Sequence, residues 1–81
     1  MLTAENIKTY IESSLPCEHV QVEGDDGVHF HALIVSPEFN GKNVVQQHQL
    51  VYKSLGDKMK QEIHALSMKT LTPAQWAATS Q

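Results

Sequence analysis

The stretch Glu62-Ile63-His64-Ala65-Leu66-Ser67-Met68-Lys69-Thr70 constrains the fold more than any other part of the chain. As a strand its alternation puts His64, Leu66, Met68 and Thr70 on one face and Ile63, Ala65, Ser67 and Lys69 on the other. The segment before it has a helical pattern, and the segment before that reads as a second strand. Together they make a β-α-β crossover, whose strands run parallel with a right-handed connection. Parallel strands begin at the same end of a sheet, so His64 is expected beside the start of the earlier strand, where His29 sits.

The remaining elements follow from local signals. Thr3 caps a first helix over about residues 4–14, with Leu2 and Ile7 as a hydrophobic staple and Ile7, Ile11 and Leu15 as its apolar stripe. Pro16 stops it. His19 to Glu23 alternates as a half-buried strand, Gly24-Asp25-Asp26-Gly27 is a turn, and Val28 to Val35 is the longest apolar strand. Val28, Phe30, Ala32 and Ile34 share one of its faces; His29, His31, Leu33 and Val35 share the other, which suits a central position. Ser36 to Lys42 reads as a loop pinned by Phe39. A second helix is expected over 43–60, with Val44, His48, Val51, Leu55 and Met59 facing the sheet beside Tyr52, and with Gly56 marking a weak point. Thr72-Pro73-Ala74-Gln75 starts a last helix whose Trp76 is expected to anchor in the core. The result is an α+β chain of order α-β-β-α-β-α with a three-stranded mixed sheet.

Eighty-one residues make one domain, 1–81, that buries only about 60 to 65% of its unfolded surface. No apolar run approaches the roughly 18 residues of a membrane span, and Met1 to Asn6 lacks the pattern of a signal peptide, so a cytoplasmic location is expected. A net charge of −3 argues against broad attraction to nucleic acid, and all six basic residues are lysine, which leaves no arginine for bidentate contacts. The single cysteine, Cys17, excludes an internal disulfide and an all-cysteine metal site. No nucleophile-base-orienter trio, phosphate loop or dinucleotide fingerprint is present, so no catalytic residue is assigned and the chain is not read as an enzyme.

Among the histidines, His48 lies on the apolar stripe of the second helix and reads as a core residue, and His31 sits about 6.8 Å further along the strand than His29. His19 and Cys17 belong at the far end of the sheet from His64, because the first strand runs the opposite way. Asp25 and Asp26 between glycines read as turn chemistry, and the lysines as solvated surface.

The set His29-Phe30, Phe39-x-Gly41, Gln47-His48-Gln49-x-Val51-Tyr52-x-x-Leu55, Ile63-His64-Ala65-Leu66 and Lys69-x-x-Thr72-Pro73-x-x-Trp76 resembles the BolA-like proteins over roughly residues 5–77. The resemblance implies a fold like the type II KH domain. It also implies partnership with a monothiol glutaredoxin, and a [2Fe-2S] cluster shared with the glutaredoxin cysteine and glutathione. The chain would then be a monomer alone and a heterodimer with that partner. The family's cluster histidine falls on His64. Many members carry a second ligand, cysteine or histidine, in the loop between the first two strands. Here Asp26 occupies that position, and His29 at the loop's exit is the nearest histidine. Two imidazoles in place of two thiolates make such a cluster less negative and easier to give up. A different reading, a KH-like nucleic-acid-binding regulator of transcription, is opposed by the lysine-only basicity and by Asn40-Gly41-Lys42-Asn43, which lacks Gly-x-x-Gly.

Overall fold

Each helix begins at a side-chain cap, and the caps divide the chain. In the computed structural model, which describes residues 2–24, 26, 28–59 and 65–79, α1 spans Ala4–Ser14, with Thr3 and Asn6 closing a reciprocal capping box. Strands β1 (His19–Glu23) and β2 (Phe30–Val35) follow, then α2 (Val44–Leu55), β3 (Leu66–Leu71) and α3 (Pro73–Thr79). Asn43 and Gln46 cap α2 in the same reciprocal way as the first box, and Thr72 and Gln75 exchange the equivalent bonds at α3.

The sheet has the order β1-β2-β3. β1 and β2 are antiparallel, pairing His19 with Val35 and Glu23 with His31. β2 and β3 are parallel, pairing Phe30 with Leu66 and Val35 with Leu71. Both features match the sequence expectation. Alternation then sorts the side chains: Val20, Phe30, Ala32, Ile34, Leu66 and Thr70 are buried on the face that meets α1 and α2. Ile7 and Ile11 from α1, Leu15 just past its end, and Val51 and Leu55 from α2 close that core, with Phe39 and Met59 fully buried beside them. Each such side chain contributes about 1.5 to 3 kcal/mol by leaving water.

Several boundaries differ from expectation, each for a physical reason. β2 begins at Phe30 rather than Val28, because the backbone N–H groups of Val28 and His29 both donate to Asp26 Oδ1, at 2.9 and 2.8 Å, instead of to a ladder. Val28 is consequently 59% exposed rather than part of the core. β3 correspondingly begins at Leu66, the partner of Phe30, and Ala65 precedes the strand rather than lying in it. The expected strand residues 62–64, His64 included, lie outside the described residues. α2 stops at Leu55, not residue 60, because Gly56 takes φ +56°, a backbone that glycine adopts without cost, and a 3-10 turn continues to Met59.

The buried stripe of α2 is also shifted. Gln47 is buried, whereas Val44 is 61% and Tyr52 42% exposed, and His48 is half-buried. An amide can occupy this interface because all its polar atoms are matched: Gln47 Nε2 donates to the carbonyls of Lys42 and Phe39, and Oε1 accepts from Thr70 Oγ1 at 2.6 Å. Trp76 is not a core anchor. No residue of α3 is fully buried, and the indole instead stacks on the His19 ring, with centroids 4.7 Å apart and planes 14° apart. The cause is topological. His19, Val35 and Leu71 are register partners at the end of the sheet where β3 delivers the chain into α3, on the face opposite the core.

Candidate functional site

The opposite end of the sheet, where β1 finishes and β2 and β3 both begin, holds the candidate site. Its geometry starts at the turn after Glu23. Asp26 Oδ1 accepts the two backbone N–H groups of Val28 and His29, and Asp26 Oδ2 lies 2.9 Å from His29 Nδ1. These contacts, His29 first, hold the Asp26 carboxyl far below the usual carboxylate range. An ionised carboxylate only accepts hydrogen bonds, so Nδ1 carries the proton that joins the two side chains. In the neutral ring Nε2 then keeps its lone pair, on a side chain that is 76% exposed.

His29 lines a hollow of about 420 Å³ with Glu23, Gly24, Phe30, His31 and Ser67. Two of its walls come from the sheet register, which sets Glu23 beside His31 and His31 beside Ser67. His31 Nδ1 and Ser67 Oγ are 2.9 Å apart across β2 and β3, so the second ring is also held by its Nδ1. Gly24 is required where it stands: a Cβ there would come within 2.5 Å of Phe30 Cδ1 and 2.8 Å of the His29 carbonyl. The hollow therefore rests directly on the core through Phe30, and a larger residue at position 24 would displace it.

Of the three residues singled out as cluster or metal ligands, His29 and Asp26 are brought together, and His64 lies outside the described residues. Asp26 engages the turn and His29 with both oxygens. No group of three or more histidine, cysteine, aspartate or glutamate side chains suited to one metal ion occurs among the described residues. Any ligand here would have to be completed by residues beyond them or by a partner. The Asp26–His29 pair was not foreseen, although the spacing carries a signal: a turn aspartate three residues before a histidine at a strand's threshold is set to cap that backbone and meet the ring.

The other sequence candidates fall where the strand directions require. Glu18 N–H donates to the Val35 carbonyl, so Cys17 belongs to the far end of the sheet, half-buried with its thiol donating to Leu15 O at 3.2 Å. Burial, with a smaller contribution from Glu12, pushes that thiol up to about 11. His19 Nε2 is buried and has no hydrogen-bond partner among the described residues, which closes it to any ligand from solvent. His48 lines a separate groove of about 700 Å³ between α2 and β3, together with Lys42, Lys69, Val44 and Met68.

Comparison with known proteins gives a consistent result. The family model described as BolA-like protein matches residues 1–75. Human BolA-like protein 2 is 39% identical over 84 residues, an alignment covering 99% of this chain and 96% of that one. Among solved structures, a bolA protein homologue from Coxiella burnetii superposes with a TM-score of 0.83 at 44% identity, covering 95% of this chain and 99% of the other. The BolA domain of SufE1 from Arabidopsis thaliana superposes with a TM-score of 0.74 at 36% identity, covering 91% and 98%. No helix among the described residues is long and apolar enough to cross a membrane. By sequence along nearly its whole length and by its α-β-β-α-β-α fold, the chain belongs to the BolA-like protein family.

Proposed function

We propose that this protein is a non-enzymatic accessory of iron-sulfur cluster assembly and trafficking, which binds a monothiol glutaredoxin. In the complex it offers imidazole ligation, from His64 together with His29, to a [2Fe-2S] cluster held jointly with the glutaredoxin cysteine and glutathione. The observation that carries this proposal is the state of His29: exposed, anchored through Nδ1 by Asp26, and left with Nε2 for a ligand, at the sheet end where β2 and β3 both begin. Its surroundings fit a cluster donated by a partner. The adjoining hollow is open, Glu23, His29, His31 and Ser67 stand in its lining beside Phe30, and the described residues offer too few ligands to hold an ion alone. Imidazole replaces thiolate without adding negative charge, which favours passing the cargo on. The structural comparison adds weight, since the solved structures that superpose on this chain include the BolA domain of SufE1 from Arabidopsis thaliana.

The alternative reading, a KH-like nucleic-acid-binding regulator, would use a different surface. The groove between α2 and β3 has Lys42, Lys69 and His48 in its lining and no carboxylate among the described residues, which suits a nucleic-acid backbone. Two titrations separate the roles. Adding the protein to a glutaredoxin [2Fe-2S] complex should change its visible absorption and circular dichroism. A DNA duplex followed by anisotropy at two salt concentrations should show little binding. A silent cluster spectrum with salt-dependent DNA binding would reverse the assignment.

A further inference from the structure

We infer that Asp26 is a positioning residue for the site: it selects which nitrogen of His29 is available as a ligand. The inference deepens the cluster-sharing role and rests on it, but its structural half is independent of any cluster. A free neutral imidazole exchanges its proton between two nitrogens, and only the bare nitrogen can bind a metal. Here the choice is made by the turn. Asp26 Oδ1 is fixed by two backbone N–H groups at 2.9 and 2.8 Å, which orients the whole carboxylate and points Oδ2 at His29 Nδ1, 2.9 Å away. The ring is therefore held as the Nδ1-protonated tautomer, with Nε2 as its donor atom. Hydrogen-bonding a ligand histidine through its second nitrogen also raises the basicity of the first. The same two backbone bonds keep β2 from starting before Phe30, so one carboxylate both frees His29 from the ladder and orients it.

Replacing Asp26 by asparagine discriminates sharply, because the two backbone donors demand an oxygen where Oδ1 stands. The amide NH₂ must then take the place of Oδ2 and donate to His29 Nδ1, which would move the ring proton to Nε2 and block the ligand position. In ¹⁵N-labelled protein without glutaredoxin, long-range proton-nitrogen correlation spectra above the imidazole titration should show His29 as the Nδ1–H tautomer. Asp26→Asn should show the Nε2–H tautomer, with His31 unchanged as the internal control. In the glutaredoxin complex, Asp26→Asn should weaken the cluster's circular dichroism about as much as His29→Ala.

An Nε2–H tautomer in the parent protein would overturn the inference whatever the variant does, so it stays testable even if Asp26→Asn fails to fold. A full cluster response from Asp26→Asn, with a diminished one from His29→Ala, would overturn the role of Asp26 alone. A full response from both variants, after the tautomer has switched as expected, would remove His29 as a ligand and the positioning role with it.

Discussion

The two ends of the sheet use the same residue type in opposite ways. At the end where β1 begins, His19 is stacked on Trp76 with Nε2 buried, next to Val35, which is fully buried, and the half-buried Cys17. At the other end, His29 stands in solvent, attached to the fold by a carboxylate rather than by packing. The first end is closed because β3 runs straight into α3, which folds across it. The second is left open by a turn whose aspartate takes up the backbone groups that would otherwise extend the ladder. A histidine therefore becomes structural or available according to what the chain does next, not according to its own position in a strand.

The contrast can be broken most forcefully at Phe30, which joins the open end to the core and is 4% exposed. Phe30→Ala should cost about 3 to 5 kcal/mol in chemical denaturation, enough to unfold much of so small a domain. Next comes Gly24→Ala. Its methyl group would collide with Phe30 and with the His29 backbone, so a loss of about 1 to 3 kcal/mol is expected, with shifted NMR resonances at the open end and few changes around Trp76. Trp76→Ala should cost less than a core aromatic, roughly 1 to 2 kcal/mol, because it removes one stacked pair and a half-buried surface. It should leave the cluster response unaltered. A loss as large as that of Phe30→Ala would show that the closed end belongs to the core after all.

At neutral pH the smallest expected effect is at Cys17. Burial raises the thiol from the ordinary 9.0 to about 11, so folding favours its protonated form. That contribution is complete below pH 9.0 and is lost as pH rises through about 11. Stability of the parent should therefore fall more steeply over that interval than that of Cys17→Ala. At pH 8 the thiol should alkylate more slowly than in the unfolded chain.

Much of this architecture was legible in the sequence because it depends on period and punctuation. Ile7 and Ile11 mark one face of α1, Thr3 its start, alternation marks β1, and the helical crossover dictates the parallel pairing of β2 with β3. The misread positions are those decided by a particular partner or a particular backbone angle, which periodicity does not encode. Gln47 counts as polar in any periodicity, yet it is buried because Thr70, twenty-three residues away, completes its hydrogen bonds. Trp76 looks like a core residue by size, but its place was decided by His19 from the other end of the chain. At the candidate site, His29 was visible as a residue type at a strand's threshold. The restraint on its ring was not, since Asp26 by itself reads as a turn former.

The central claim is that imidazoles, His64 with His29, are this protein's contribution to a shared cluster. The most direct test is the visible circular dichroism of a glutaredoxin-bound [2Fe-2S] cluster titrated with the parent, with His64→Ala, with His29→Ala and with the double mutant, each checked by thermal melting. The account predicts melting within a few degrees of the parent, a weakened response for His29→Ala, and no response for His64→Ala or for the double mutant. A full response from a folded double mutant would contradict it, even if the two proteins still bound each other.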